Sequence, residues 1–158
     1  KIIKLATANI GLVTDTICCP GMDYCALATA RSIPISQKIS SSFKNQSLQK
    51  KIGKIKIKIS GCINACGHHH VGNIGILGLD KNGEESYQIT LGGSADEKTK
   101  IGQIVGPSFT EKKLINALKT IIKTYEDNRL NIEDDFMSVF NRIGIDKFKQ
   151  DLYEKNNS

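Results

Sequence analysis

The sequence has no tryptophan, and aromatic residues make up only 6% of its 158 residues. No apolar run approaches the length that crosses a bilayer, so we expect no membrane-spanning segment. The formal net charge is +6, but the lysines are spread along the chain and little aromatic surface accompanies them. This pattern argues against nucleic-acid binding and is typical of a solvated, lysine-rich surface.

Signals for export and for repetition are also absent. The opening residues lack a small-residue cleavage site after a continuous apolar core, so we expect no secretory signal and a cytoplasmic location. No repeat with a period of 20 to 50 residues is present, which excludes a solenoid. The chain begins at Lys1 in strand-like sequence, and we expect it to be a fragment of a longer protein. Its 158 residues, 39% of them hydrophobic, are enough for one domain with a buried core.

Several short segments predict β-structure. Isoleucine and lysine alternate in residues 54–60, which predicts a half-buried strand with the isoleucines inward. Residues 12–19 are rich in β-branched side chains and end before Pro20-Gly21, so they predict a strand that delivers cysteines to a loop. An Asn82-Gly83 turn between strand-like segments predicts a hairpin, and residues 102–107 predict a short extended segment.

Helical patterns occupy the second quarter and the end of the chain. Residues 23–43 are expected to form two short helices because Pro34 breaks or kinks the pattern. The polar residues 40–51 suggest a surface loop or a fraying helix end.

Three helices are predicted near the end of the chain. The first begins at an N-cap, Thr110, and has apolar residues at helical spacing. A second covers Glu133–Arg142 and stops at Gly144, and a third covers residues 146–154. We therefore expect an α+β fold, a mixed β-sheet with packed helices and a C-terminal helical segment. Residues 1–128 would form the main domain and residues 129–158 its helical extension.

The five cysteines carry the most specific chemical signal. Two spacings stand out, Cys19-x5-Cys25 and Cys62-x3-Cys66, both in glycine-containing loops. An odd number of cysteines without an export signal argues against a disulfide framework. Four thiolates, or three with one histidine of residues 68–70, would satisfy tetrahedral zinc, although C-x5-C fits zinc poorly. An iron–sulfur cluster is favoured because it needs four thiolates from loops that wrap a bulkier group, with zinc as an open alternative.

Three longer segments, taken together, resemble a known family. They are CPGMDYCALATARSIPI, IKISGCINACGHHHVGNIGILGLDKNGEESYQITLGG and GQIVGPSF. In this combination the chain resembles the C-terminal part of the siroheme-dependent sulfite and nitrite reductases, whose signature is C-x5-C followed by C-x3-C. The resemblance extends over residues 15–153.

The resemblance implies a cofactor set and its ligands. The four motif cysteines would hold a 4Fe-4S cluster, and the last would also bind the iron of siroheme. By position the ligands would be Cys19, Cys25, Cys62 and Cys66, with Cys66 as the bridge. Asn64 and Gly67 would shape the loop or hydrogen-bond the cofactors, with a simple turn role equally open. No residue of this chain is expected to be catalytic.

Other polar and sulfur-bearing residues receive weaker assignments. Cys18 lies outside the motif and is read as a small apolar residue at a strand end. The three histidines, His68 to His70, could donate protons near neutral pH or simply shape the loop. The three arginines, Arg31, Arg129 and Arg142, are placed on predicted helices and read as surface or ion-pair residues.

The family resemblance implies a six-electron reductase. We expect the chain to be the cluster- and siroheme-binding part of an assimilatory sulfite reductase. Its electron donor would be a ferredoxin or flavoprotein, consistent with attraction of an acidic donor by the positive charge. Nitrite reductase and a non-catalytic electron-carrying module are the alternatives. The version GCINACGHHH favours sulfite over nitrite. Substrate-binding cations are expected from a missing N-terminal half, so the isolated chain should be inactive.

Overall fold

The central strand follows from the alternation of isoleucine and lysine. In the computed structural model, which describes residues 9–153, this strand (β2) covers Ile57–Ser60. Ile55, Ile57 and Ile59 are buried, as predicted, because successive side chains of a strand point to opposite faces. Before β2, Lys54 makes an isolated bridge to Leu12.

In the part of the chain that the structure describes, six strands form one mixed sheet. Its path runs β1-β2-β3-β4-β5, and β6 pairs with a separate part of β4. The first three strands are parallel, whereas β4 is antiparallel to β3, β5 and β6. The other strands are β1 (Ile17–Cys18), β3 (Ile74–Lys81), β4 (Glu84–Leu91), β5 (Gln103–Ile104) and β6 (Phe109–Thr110). The strand predicted over residues 12–19 is therefore confined to its last part.

The predicted hairpin joins β3 and β4. Asn82 and Gly83 both have positive φ, 57° and 85°. This is the conformation that a tight two-residue hairpin turn requires, and asparagine and glycine adopt it with the least strain. The backbone N–H of Gly83 also donates to the Asp80 carboxylate at 3.1 Å. The turn fixes the register of the two longest strands.

Within residues 9–153, four α-helices accompany the sheet, and the first two differ from the prediction. The helices are α1 (Ile33–Ser42), α2 (Gln46–Ile52), α3 (Glu111–Asp127) and α4 (Phe136–Tyr153). The prediction of two helices broken at Pro34 was wrong, because Pro34 lies in the first turn of α1. Proline is accepted there since the first-turn N–H has no intrahelical partner.

The expected loop in residues 40–51 is also corrected. Residues 40–42 complete α1, and most of the remainder forms α2. The Asn45 side chain caps α2 by accepting a hydrogen bond from the N–H of Leu48 at 3.1 Å. This cap supplies a helix start within a polar segment that has little apolar periodicity.

The predicted stop between the last two helices is confirmed, because α4 consists of two helical segments separated at Gly144. Helix α4 changes direction at Gly144, whose φ and ψ are 72° and 171°. The first half buries Phe136 and Phe140, and the second buries Phe148 and Leu152. Residue 154 of the predicted third helix lies outside the described residues, as do residues 1–8 of the segment searched for an export signal.

One hydrophobic cluster connects the sheet to the helices. It includes Ile57, Ile76 and Ile89 from the strands, together with Leu118 and Phe136 from α3 and α4. The expected α+β architecture is confirmed, and the boundary between residues 1–128 and 129–158 stays a prediction. None of the helices within residues 9–153 combines the length and the apolar character that crossing a bilayer demands.

Truncating a core isoleucine should be much more costly than truncating an exposed one. Ile76 is fully buried, whereas Ile104, on the same sheet, is 55% exposed. We expect Ile76→Ala to lower the free energy of unfolding by about 2–5 kcal/mol, since it leaves a cavity. The matched variant Ile104→Ala should change it by less than about 1 kcal/mol. Urea unfolding measures both, and equal losses would contradict the assigned core.

Candidate metal centre

Parallel pairing of β1 and β2 brings two cysteine-bearing loops to one edge of the sheet. Ile17 pairs with Lys58 and Cys18 with Ile59, so both strands end at the same level. The backbone N–H of Cys19, just after β1, donates to the carbonyl oxygen of Ile59 at 3.1 Å. Cys62 is the second residue after the end of β2, and Gly61 lies between them. Residues far apart in sequence thus enter their loops side by side.

The sulfur of Cys19 receives hydrogen bonds from the protein. The N–H of Gly61 donates to it at 3.1 Å, and the Ser32 hydroxyl lies 3.4 Å away. Partial burial raises the pKa of the Cys19 thiol. The hydrogen bonds from Ser32, Gly61 and other backbone N–H groups outweigh this effect and hold the pKa below its ordinary value. Cys19 is therefore biased toward the thiolate, the form that binds metals.

Cys18 has the opposite environment. It packs against the hydrophobic cluster, and burial raises the pKa of its thiol, although a hydrogen bond with Ser36 acts the other way. A partly buried thiol that packs against apolar residues behaves as a small apolar side chain. The two adjacent cysteines are thus chemically distinct, and the geometry favours Cys19 over Cys18 as the ligand.

Glycines allow the loops to pack closely at this edge. A Cβ atom on Gly61 would lie 2.6 Å from the carbonyl oxygen of Ala30 and 3.0 Å from the Cα of Gly21. The N–H groups of Thr29 and Ala30 both donate to the carbonyl oxygen of Gly61, at 2.9 and 3.0 Å. These contacts bind the loop after β1 to the loop after β2. They also explain why the alanine-rich segment after Asp23 is not helical, as predicted for residues 23–43, since its backbone is used across the loops.

The segment from Cys62 to Cys66 forms a tight turn. Ala65 has a positive φ of 57°, and its N–H donates to the carbonyl oxygen of Cys62 at 3.2 Å. Cys62 is buried, whereas Cys66 is exposed and its sulfur lies 3.9 Å from the carbonyl oxygen of Asn64. The turn therefore presents one sulfur inward and the other outward.

Gly67 anchors this turn to β2. A Cβ atom at this position would lie 1.8 Å from the carbonyl oxygen of Ile59, so glycine is required by space alone. The Gly67 N–H donates to the Ser60 hydroxyl at 3.2 Å. The structure thus gives Gly67 a part in shaping the loop. The predicted contacts of Gly67 and Asn64 with cofactors stay predictions.

The three histidines differ sharply in exposure. His68 and His70 are exposed, whereas His69 is 1% exposed and packs its ring 3.9 Å from the ring of His70. The Nδ1 atom of His69 finds no hydrogen-bond partner within residues 9–153. Burial, assisted by the charge of His70, lowers the pKa of His69 to about 4. His69 is therefore neutral at pH 7 and unsuited to donate a proton there.

The four motif cysteines have the thiolate chemistry that an iron–sulfur cluster requires. Within residues 9–153, no three His, Cys, Asp or Glu side chains converge closely enough to hold one metal ion. All four motif positions nevertheless supply sulfur, from loops that meet at one edge. An iron–sulfur cluster takes four thiolate ligands and is larger than one ion, so its ligands stand farther apart.

Large apolar side chains project from the same loops. Tyr24 and Leu27, on either side of Cys25, are 81% and 72% exposed, and Ile63, next to Cys62, is 79% exposed. An apolar surrounding limits water at a metal centre and so affects its potential. These residues were not identified from sequence, because nothing in their local pattern distinguishes exposed from buried apolar residues.

The three arginines are engaged within the chain. Arg31 pairs with Asp23 at 3.1 Å and Arg142 with Asp134 at 2.9 Å. Arg129 donates to backbone carbonyl oxygens. The predicted surface and ion-pair roles agree with these contacts, but Arg31 and Arg129 lie outside the helices where they were placed.

Replacing Gly67 should disturb the turn directly. We expect Gly67→Ala to lower the free energy of unfolding by about 2–3 kcal/mol, because its Cβ would meet rigid backbone. Gly83→Ala is the control, since it adds a methyl group with no atom within 4 Å and has only the strain of its positive φ. That control should cost about 1 kcal/mol. Urea unfolding tests the difference, and an innocuous Gly67→Ala would contradict the described contact.

Burial of neutral His69 should make stability depend on pH. The pKa of His69 is 6.5 in its ordinary state and about 4 in the fold. Between these values the unfolded chain binds more protons, so the folded state loses stability as pH falls through this window. His69→Phe should therefore lose less stability than the unmodified chain between pH 7 and pH 4.

Exposed His68 supplies the control for this experiment. His68→Asn keeps a residue that tolerates the left-handed backbone at this position, and it should follow the unmodified chain across the pH range. Unfolding by urea at several pH values gives the comparison. Parallel curves for His69→Phe and the unmodified chain would show that His69 is not held neutral.

Solved structures share this fold. The structure of the Mycobacterium tuberculosis NirA protein aligns with a TM-score of 0.69 and 19% identity, covering 84% of this chain and 26% of that one. Dissimilatory sulfite reductase I (DsrI) aligns with a TM-score of 0.71 and 11% identity, over 87% of this chain and 51% of that one. At these identities the likeness concerns the fold alone.

Sequence relatives extend the comparison. The sulfite reductase [NADPH] hemoprotein beta-component of Buchnera aphidicola is 27% identical over 85% of this chain and 24% of its own length. The assimilatory-type sulfite reductase of Nitratidesulfovibrio vulgaris is 23% identical over 70% of this chain and 47% of its own length. The chain thus spans between a quarter and a half of these two relatives. The family described as "Nitrite and sulphite reductase 4Fe-4S domain" matches residues 11–158. The chain therefore belongs to the nitrite and sulphite reductase 4Fe-4S domain family.

Proposed function

We propose that this chain is the C-terminal, electron-handling part of an assimilatory sulfite reductase. Cys19, Cys25, Cys62 and Cys66 would hold a 4Fe-4S cluster, and Cys66 would also bind the iron of siroheme. The observation that carries the proposal is the parallel pairing of β1 and β2. It brings Cys19 and the turn that holds Cys62 and Cys66 to one edge of the sheet, in a domain that the family match covers almost completely.

The residues of the turn suit a shared thiolate. When bound, the cluster and siroheme would pass electrons from the donor protein to sulfite for its six-electron reduction to sulfide. Cys19 would bind with hydrogen bonds from Gly61 and Ser32 already in place, and such bonds to sulfur tune a cluster's potential. Cys62 would bind from inside the loop, while exposed Cys66 is free to face a second group.

Sulfite is proposed as the substrate in preference to nitrite. Both the Buchnera and the Nitratidesulfovibrio relatives bear the name sulfite reductase. The turn sequence GCINACGHHH supports the same choice by resemblance to sulfite reductase beta-components. We include a ferredoxin or flavoprotein as the electron donor and a cytoplasmic location in the proposal.

The cations that hold the substrate and siroheme would come from the rest of the reductase. This chain spans 24% of its Buchnera relative, and its three arginines already contact carboxylates or carbonyl oxygens of the chain. The isolated chain should therefore lack sulfite reduction with a chemical donor. Robust turnover by the isolated chain would contradict the proposal that these cations come from the rest of the reductase.

Metal and sulfide analysis tests the ligand set. Purified without oxygen, the chain should contain about four iron atoms and four acid-labile sulfides. Serine at any of the four motif cysteines should remove most of both, since each position supplies one thiolate. Cys18→Ser is the matched control and should keep the cluster. One zinc ion with no sulfide, or loss of the cluster in Cys18→Ser alone, would overturn the proposed site.

A further inference from the structure

Cys25 lacks the strand that positions the other candidate ligands. Cys19 directly follows β1, and the turn with Cys62 and Cys66 follows β2. Cys25 instead lies in an irregular segment between the 3₁₀ turn Gly21–Asp23 and helix α1. An irregular surface segment samples more positions than a strand end, so some other contact must fix it.

Arg31 supplies such a contact. It lies six residues after Cys25 and pairs with Asp23, two residues before it. Its Nε donates to the Asp23 carboxylate at 3.1 Å, which closes the chain around Cys25. Its Nη1 contacts the carboxylate of Glu85 on β4, and its backbone N–H donates to the same carboxylate at 2.7 Å. Its carbonyl oxygen accepts a hydrogen bond from the Tyr87 hydroxyl at 3.1 Å. Side chain and backbone of Arg31 are therefore both tied to the hairpin.

The two residues of β4 that Arg31 contacts, Glu85 and Tyr87, also contact each other. Tyr87 is 1% exposed and donates to the Glu85 carboxylate at 2.9 Å as well as to Arg31. Burial, with the adjacent Glu85, raises the pKa of Tyr87 above its ordinary value, so the hydroxyl keeps its proton. In the register of β3 and β4, the backbone of Glu85 lies opposite that of Asp80. The clamp thus rests on the most regular part of the sheet.

The network acts mainly on geometry. The Arg31 side chain is half exposed, so its ion pairs contribute little to overall stability. A planar guanidinium that bridges two carboxylates nevertheless fixes their relative positions, which a single flexible cation does less well. Removing it should loosen the part of the segment around Cys25, while the hydrogen bonds of Thr29 and Ala30 to Gly61 and the pairing of the strands stay in place.

We propose that Arg31 is a positioning residue that clamps the Cys25 segment to β4 and holds the Cys25 sulfur where a cluster iron is bound. The clamp itself is a property of this fold, and its effect on iron rests on the proposed function. The spacing of the cysteines does not predict this clamp, because Arg31 and Glu85 are separated by 54 positions.

Cysteine accessibility tests the clamp without a cluster. In the metal-free full-length chain, Arg31→Gln should raise the rate at which a maleimide alkylates Cys25 by about fivefold, the effect of losing a half-exposed ion pair. Alkylation of Cys62, read by mass spectrometry in the same sample, should stay within about twofold, because its turn is held by β2. Arg142→Gln, which breaks a comparable surface pair with Asp134, is the control and should change neither rate.

A double variant separates the clamp from general loosening. Glu85→Gln combined with Arg31→Gln should alkylate Cys25 no faster than Arg31→Gln alone. Glutamine at position 85 still offers an oxygen to the Arg31 backbone N–H and to Tyr87, so both changes remove the same side-chain pair. Equal acceleration at Cys25 and Cys62, or none at Cys25, would overturn the proposal.

The cluster-bearing chain provides the second arm. Arg31→Gln should purify with iron and sulfide but release iron to a chelator about fivefold faster than Arg142→Gln, by the same loss of a half-exposed ion pair. If the unmodified chain holds no cluster, the proposed function fails, and the alkylation arm still decides the clamp. If the cluster is present and release is unchanged, the positioning of Cys25 is refuted while the function stands.

Discussion

The structure depends first on the backbone pairing of β1 with β2. The two residues of β1 are enough to align it with β2, because the hydrogen bond from Cys19 to Ile59 continues the pairing into the loops. Parallel strands must be connected by a long crossover, here formed by α1 and α2, and they end at the same edge. The fold thereby converts a separation of more than forty residues into adjacency of the cysteine loops.

Much of the fold could be predicted from local patterns. The alternating Ile and Lys residues determine the faces of β2, Asn82-Gly83 determines the hairpin, and the apolar spacing after Thr110 determines α3. Each of these signals depends on interactions within a few residues, or on the choice between buried and exposed faces. The candidate ligand cysteines were also selected in sequence, by spacing and resemblance, and their assignment as ligands stays a prediction, whereas the geometry of their loops could not be predicted.

The features that escaped prediction depend on distant partners. The segment after Asp23 has the composition of a helix, yet Thr29 and Ala30 donate their N–H groups to Gly61 instead of to a helical turn. Ser32 gave no sign that its hydroxyl would approach Cys19. Local propensity is weak beside such long-range hydrogen bonds, because folding satisfies the backbone wherever a partner is available.

Gly144 shows how backbone conformation can limit substitution where space does not. A methyl group there would have no atom within 4 Å, so inspection of contacts alone would rate the site as permissive. Its φ of 72° is nevertheless unfavourable for residues with a side chain. Evolutionary drift should therefore be slower at this uncrowded position than at the exposed residues beside it. Conservation of Gly144 would then reflect the backbone conformation that redirects the chain at this residue, and would not require a contact with another side chain.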